Sequence, residues 1–455
     1  MKRMLALLCI LFSLFLTGCG FKSGDEFYAL PKASDVYKSL EICLQQVLDQ
    51  GMEYSAPVAG TNTRSVHLQD LDGDGEDEAI GFFRDTSGKK SPLNIYFFKK
   101  DAEEKYHIAG HISGDGTAIN SATTCQFEGD SNSPSELAVS WQVSSGVYAL
   151  STYSISEYDG EYAITEMMPS TSYTRYIIQD MDEDGEDELL LINLDASDSG
   201  TSVARCFDLS NARLEELSSV PLSNSMGAVD KVHASTLSDG SPAIYITGLI
   251  QSDTISEVVT DILSLQGGTL RNITLDAKQL SSTSTTRYNL APDQDINGDG
   301  IWEIPTPKRL PSHNPESTET FYAVEWRQFA RDGSSTLLNT CYYNSTDGWY
   351  LDLPEDWNGH ISLARSDNSD GPTNERGIVF YFSQEGSEPT PALAIYKNTG
   401  NDRADRATID GRMLLLSNSD TTYSAKLWND GSEVDNDTNE LFAHFHLITT
   451  DWSSN

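Results

Sequence analysis

Between about residues 60 and 345, short apolar runs alternate with clusters of Gly, Asp, Ser and Lys, and no long helical period interrupts them. The runs at 66–68, 79–83, 93–98 and 106–110 read as four strands separated by turns. The same order returns at 176–178, 189–192, 202–207 and 214–219. Ahead of this texture, Val36, Leu40, Cys43, Leu44, Val47 and Leu48 fall at helical spacing and predict one amphipathic helix. Ser34 is placed to cap its start and Gly51 to end it. A single apolar face of this kind is expected to pack on the first repeat or to plug one face of the β region.

Within that pattern an acidic, glycine-broken loop occurs three times: DLDGDGEDE at 70–78, DMDEDGEDE at 180–188 and DINGDGIWE at 295–303. Their starts lie 110 and 115 residues apart, about twice the length of a four-stranded unit. Degenerate copies of the frame stand midway, at 128–136 and 237–242, so the period is about 57 residues. Four short strands per period predict a mainly β chain built as a β-propeller; stacked β-sandwich modules are the blander alternative. After residue 346 the texture changes, with strands expected near 361–364, 378–382, 393–396, 413–416 and 423–428 and a short helix at 439–445. The domain reading is a repeat region at 60–346 preceded by a helical segment at 34–59. A small α+β domain then fills 347–455; alternatively, the tail completes a propeller of six or seven blades.

At the start of the chain, Met1-Lys2-Arg3 precedes an apolar run from Met4 to Leu16, the pattern of a signal peptide over 1–18. It ends in Leu16-Thr17-Gly18-Cys19, which resembles the lipobox of bacterial lipoproteins and implies lipidation of Cys19, with 19–33 as a tether. The expectation is an extracytoplasmic protein held to the membrane by lipid. A formal net charge of −39 opposes nucleic acid and anionic headgroups as partners. Cys43, Cys125, Cys206 and Cys341 are scattered without CxxC or Cys/His grouping, which favours buried thiols over zinc or redox chemistry and leaves one disulfide open.

Oxygen side chains at loop positions 1, 3, 5 and 9, with Gly at 6, suit a hard cation such as Ca²⁺, which takes about 6–8 oxygen ligands. An EF-hand needs an acid at position 12 followed by a helix, but Gly81, Leu191 and Thr306 stand there and a strand-like run follows. A repeated D-x-D-G-D-G-x-x-E loop between strands resembles the FG-GAP/VCBS repeat of integrin-α-type β-propellers, over roughly residues 60–345. That resemblance implies about three structural Ca²⁺ ions. Their side-chain ligands would be Asp70, Asp72, Asp74 and Glu78; Asp180, Asp182, Asp184 and Glu188; and Asp295, Asn297, Asp299 and Glu303. The backbone carbonyls of Glu76, Glu186 and Ile301 would complete the shells. Position 9 is Glu where the family often has Asp, and Asn297 leaves the third loop with three carboxylates.

No HExxH, GxSxG, P-loop or GxGxxG motif occurs, and His444 and His446 have no acidic or cysteine neighbour at metal-ligand spacing. Trp326, Trp349 and Trp357 read as core before they read as a sugar platform. The expected function is a lipid-anchored, calcium-stabilised surface protein that binds an unknown protein or glycan without catalysis. A polysaccharide hydrolase or lyase, or an accessory protein of an envelope complex, are the alternatives.

Overall fold

The computed structural model describes residues 35–88, 92–129, 136–195, 201–250, 256–366, 374–383, 387–428 and 438–448. Residues 1–34, where a signal peptide, Cys19, a tether and the capping Ser34 are expected, lie outside the described residues, as does most of the degenerate frame at 128–136.

The described residues form six antiparallel sheets whose strands mostly pair in chain order. In the first, Met52–Tyr54 and Val66–Gln69 both pair along Glu78–Asp85, and Leu93–Lys100 and Tyr106–Gly114 follow. The second holds Ala118–Cys125, Glu136–Ser144, Val147–Tyr158 and Glu161–Tyr173, and the third Arg175–Gln179, Glu188–Asn193, Val203–Ser210 and Arg213–Pro221. Met226–Thr236, Pro242–Ile250, Glu257–Gln266 and Thr269–Asn272 make the fourth, with Arg287–Tyr288 added against Glu257–Gln266. Tight hairpins enforce this order: Asp159-Gly160 and Gly267-Gly268 both have positive φ at two successive residues, the turn that matches strand twist. At 237–241 the degenerate frame is a plain turn, with Leu237 N–H bonded to the Ser241 carbonyl.

The described residues up to 124 together with those of 136–166 form one compact unit; 125–129 and the described residues from 167 onward form another. In the first unit the central strands are buried on both faces. Ile80, Phe82, Ile95 and Phe97 meet Leu137, Val139 and Trp141, while Ala79, Phe83, Tyr96 and Phe98 are covered by the helix Asp35–Leu48 through Leu40, Cys43 and Val47. The expected helix thus lies on the first sheet, and Gly51 ends it at φ +88°. Each large apolar side chain so buried is worth about 1.5–3 kcal/mol.

In the second unit, one core joins the third and fourth sheets through Leu190, Ile192, Ile244, Ile246 and Val259. Another gathers Phe321, Trp349, Trp357, Leu363, Phe380 and Phe445. Trp326, Trp349 and Trp357 are all fully buried. The fifth sheet runs Ile304–Leu310, Phe321–Phe329, Ser335–Asn344, Trp349–Asp352 and then Phe445–Leu447; the sixth runs Ile361–Arg365, Glu375–Phe382, Thr390–Thr399, Thr421–Leu427 and Met413–Ser417. Pairing therefore crosses position 346, where the change of texture had suggested a boundary, because Trp349–Asp352 bonds to Ser335–Asn344 on one side and Phe445–Leu447 on the other. Cys43, Cys125, Cys206 and Cys341 are all buried, and none forms a disulfide.

One irregularity recurs. In the three sheets that follow the acidic loops, a register shift separates Phe97 from Phe98, Cys206 from Phe207 and Trp326 from Arg327. These positions are equivalent, since Phe98 pairs with Ala79, Phe207 with Leu189 and Arg327 with Ile304, each the residue directly after its loop. A bulge re-aims the side chains beside it.

Candidate metal centres

The first two acidic loops link Val66–Gln69 to Glu78–Asp85 and Arg175–Gln179 to Glu188–Asn193. The third sits inside an isolated bridge between Gln294 and Glu303 and runs into Ile304–Leu310. All three fold on one hydrogen-bond frame. The position-1 aspartate accepts the N–H groups of positions 4 and 6: Gly73 and Gly75 to Asp70 at 2.8 and 3.0 Å, Glu183 and Gly185 to Asp180 at 2.7 and 3.1 Å, Gly298 and Gly300 to Asp295 at 2.6 and 2.8 Å. The position-5 aspartate accepts the N–H of position 7, at 2.8 Å for Glu76 to Asp74, 2.9 Å for Glu186 to Asp184 and 2.8 Å for Ile301 to Asp299. The closing glutamate accepts the N–H of position 2: Leu71 to Glu78 at 2.9 Å, Met181 to Glu188 at 2.7 Å and Ile296 to Glu303 at 2.9 Å. Leu71 and Met181 are themselves fully buried, so an apolar plug anchors each of the first two loops to its core.

This frame draws the carboxylates at positions 1, 3 and 9 together. Asp70, Asp72 and Glu78 present oxygens within 4.8 Å of one another, and so do Asp180, Asp182 and Glu188. Asp74 and Asp184 stay at the rim. Glu76 and Glu186, expected to contribute through their carbonyls, turn their N–H groups to the position-5 aspartates, and the Glu76 side chain bonds Lys100 at 3.0 Å. In the third loop Asn297 stands at position 3, so the trio of carboxylates at positions 1, 3 and 9 does not arise there. Asn297 donates to Asp299 at 2.8 Å instead.

The donor set is all oxygen, and the closing glutamates are only 2% exposed at both Glu78 and Glu188. Burial pushes Glu78 up to about 7 against the opposing pull of the Leu71 N–H. Burial likewise lifts Glu188 to about 8, with Asp182, Asp184 and Asp208 adding repulsion. Glu303 is raised for the same first reason. Clustered carboxylates whose ionised form is disfavoured until a cation arrives suit an oxygen-seeking divalent ion.

What faces each cluster from the neighbouring strand differs. One residue beyond the pairs set by the loops stand Lys99, Asp208 and Gln328. Lys99 is mostly buried; its ammonium bonds Asp72, lies 2.9 Å from Glu157 and 3.6 Å from Asp74, and sits over the Tyr162 ring. Burial works to lower that ammonium, but hydrogen bonds to Asp72 and Glu157 outweigh it and raise it. Gln328 donates to Asp299 at 2.9 Å and to Glu303 at 2.7 Å. No basic side chain among the described residues pairs with a carboxylate of the second loop. Sequence reading passed over these three residues, because their distances along the chain from the loops vary and only strand register aligns them. It also missed that His446 bonds Asp352 at 3.1 Å and stacks on Tyr350, a strand-to-strand contact within the fifth sheet.

No family model and no curated protein matches the chain. Among solved structures, two of Sqt1 from Chaetomium thermophilum are similar at 11% identity and TM-score 0.30, covering 71% and 78% of this chain and 76% and 92% of theirs. A mutant α-L-arabinofuranosidase, arb93a from Fusarium graminearum, in complex with an iminosugar inhibitor, is similar at 10% identity and TM-score 0.25, covering 82% of this chain and 97% of that one. Likenesses this faint decide neither fold family nor activity.

Proposed function

We propose that this chain is a lipid-anchored extracytoplasmic protein of the FG-GAP/VCBS kind, its sheets arranged as propeller blades and its acidic loops clamped by Ca²⁺. The observation that carries the reading is the shared loop frame, in which three carboxylates, one of them a buried glutamate, converge in each of two separate hairpins. Bound Ca²⁺ would supply positive charge that lets these carboxylates stay ionised side by side. The chain's own part is to hold them there: Asp70 and Asp180 fasten the turn, Glu78 and Glu188 tie its far end to the backbone, and Leu71 and Met181 seat it in the core. Clamps of this sort stabilise hairpins and perform no reaction, so the role is a rigid surface module that binds a protein or glycan.

Thermal unfolding of the purified protein with and without Ca²⁺, alongside a count of bound metal, tests the reading. The expected result is bound Ca²⁺ and a melting temperature that rises with it, a rise lost in Asp72→Ala plus Asp182→Ala. Zero bound ions with no shift would sink it.

A further inference from the structure

The first and second loops are close to identical in sequence, yet the bulged strand beside them presents opposite charges. At the first, a cation is already in place and belongs to the chain: the Lys99 ammonium touches Asp72 and lies 3.6 Å from Asp74. The register places Asp208 at the same position in the second sheet of this kind and Gln328 in the third. With Lys99 and its other partner Glu157 both counted, the four ligand carboxylates of the first loop, when ionised, stand at a net −4. Those of the second reach −5 with Asp208, and the third loop stands at −3 with a neutral amide. Lys99 marks where a cation rests against this frame; in the second loop the buried Glu188 accepts the Met181 N–H at 2.7 Å and converges with Asp180 and Asp182, and no basic side chain among the described residues pairs with the three. A bulge adjoins each of these positions; Lys99 and Gln328 bond their loops, whereas the Asp208 carboxylate accepts the Leu209 N–H at 2.6 Å and stands outside the three converging carboxylates of the second loop.

We infer that this facing residue ranks the loops for divalent cations. The second loop, with the negative charge of Asp208 at the adjoining register position, takes Ca²⁺ first and most tightly, and the first loop is held by Lys99 and takes Ca²⁺ only when that ammonium is displaced. The inference rests on the calcium reading proposed above. It replaces three equivalent sites by one strong site, one loop already paired with Lys99 and one weak loop whose amide donor at Gln328 already occupies Asp299 and Glu303. One carboxylate beside a doubly charged ion in a water-like dielectric changes affinity by about tenfold.

Calorimetric titration of the full-length, chelator-treated protein with CaCl₂ tests it, with ions counted by mass spectrometry. The expected wild-type result is one tight ion, lost in Asp182→Ala. Asp208→Asn weakens that ion by about tenfold, and Lys99→Gln adds a second tight ion while Lys99→Arg does not. Melting curves of the metal-free variants establish that each is folded; if Lys99→Gln is not, Asp208→Asn and Lys99→Arg decide. Three ions of equal affinity, or an Asp208→Asn affinity equal to wild type, overturn the ranking and leave the calcium clamp standing. No binding at any loop overturns both.

Discussion

The loops at 70–78 and 180–188 differ only at positions 2 and 4, and they fold on the same hydrogen bonds, yet they meet their surroundings in opposite ways. The first lies under an ammonium supplied by Leu93–Lys100; the second faces a carboxylate supplied by Val203–Ser210. A nine-residue motif thus specifies a turn and a set of oxygens, while the demand for an external cation comes from a strand that the motif does not contain. Stability should follow the same division, with one hairpin self-sufficient and the other dependent on metal.

The largest effect should come from removing metal. At a Ca²⁺ concentration about 100-fold above the dissociation constant, binding contributes roughly 2.7 kcal/mol. Chelation should therefore lower amide protection in Glu188–Asn193 by about 100-fold and in Glu78–Asp85 by only a few-fold, as read by hydrogen exchange. Equal losses in both strands would erase the contrast.

Next in size is the pH response of the metal-free protein. Glu188 is raised to about 8 and Glu78 to about 7, so the folded state holds these protons more tightly than the unfolded chain. Stability should be fully present near the unfolded value of about 4.5 and should fall as pH rises toward 7–8, by about 2–3 kcal/mol for the two groups together after discounting for partial solvation. Denaturant melts across that window check this. Glu188→Gln should flatten the slope more than Glu78→Gln, because Lys99 already favours the ionised Glu78.

A charge exchange sharpens the comparison further. Lys99→Asp should give the first hairpin a calcium-dependent melting shift, and Asp208→Lys should remove it from the second, each by about 1–1.5 kcal/mol. Differential scanning calorimetry with and without Ca²⁺ reads both. The smallest effect concerns position 4, where Gly73 has φ +74° and Glu183 reaches +65° with a side chain attached. Glu183→Gly should stabilise the second loop by up to about 1 kcal/mol without changing its calcium affinity, measured by chemical denaturation.

Much of this was legible in the chain. Continuous apolar runs at 79–83 and 189–192, the helical stripe from Leu40 to Val47 and the glycines at position 6 each report on neighbours a few residues away, and the strands, helix and turns appear where those patterns put them. The convergence of Asp70, Asp72 and Glu78 was legible for the same reason, since one hairpin turn brings all three together. The third loop departs because Asn297 replaces the acid at position 3 and, with Gln328, donates to Asp299. In the tail, Trp349–Asp352 pairs across position 346 with Ser335–Asn344 and is also joined by Phe445–Leu447 from far along the chain, the latter a pairing without a local signal.

By itself, then, the amino-acid sequence determined what local physics controls: strand and helix periodicity, the sharp acidic turns, the oxygen-only donor set and a strongly negative surface. Only the tertiary structure decided which sheet the last strand completes and which of Lys99, Asp208 and Gln328 confronts each loop. Those outcomes depend on strand register and on a bulge, which couple residues by position across a sheet rather than by distance along the chain.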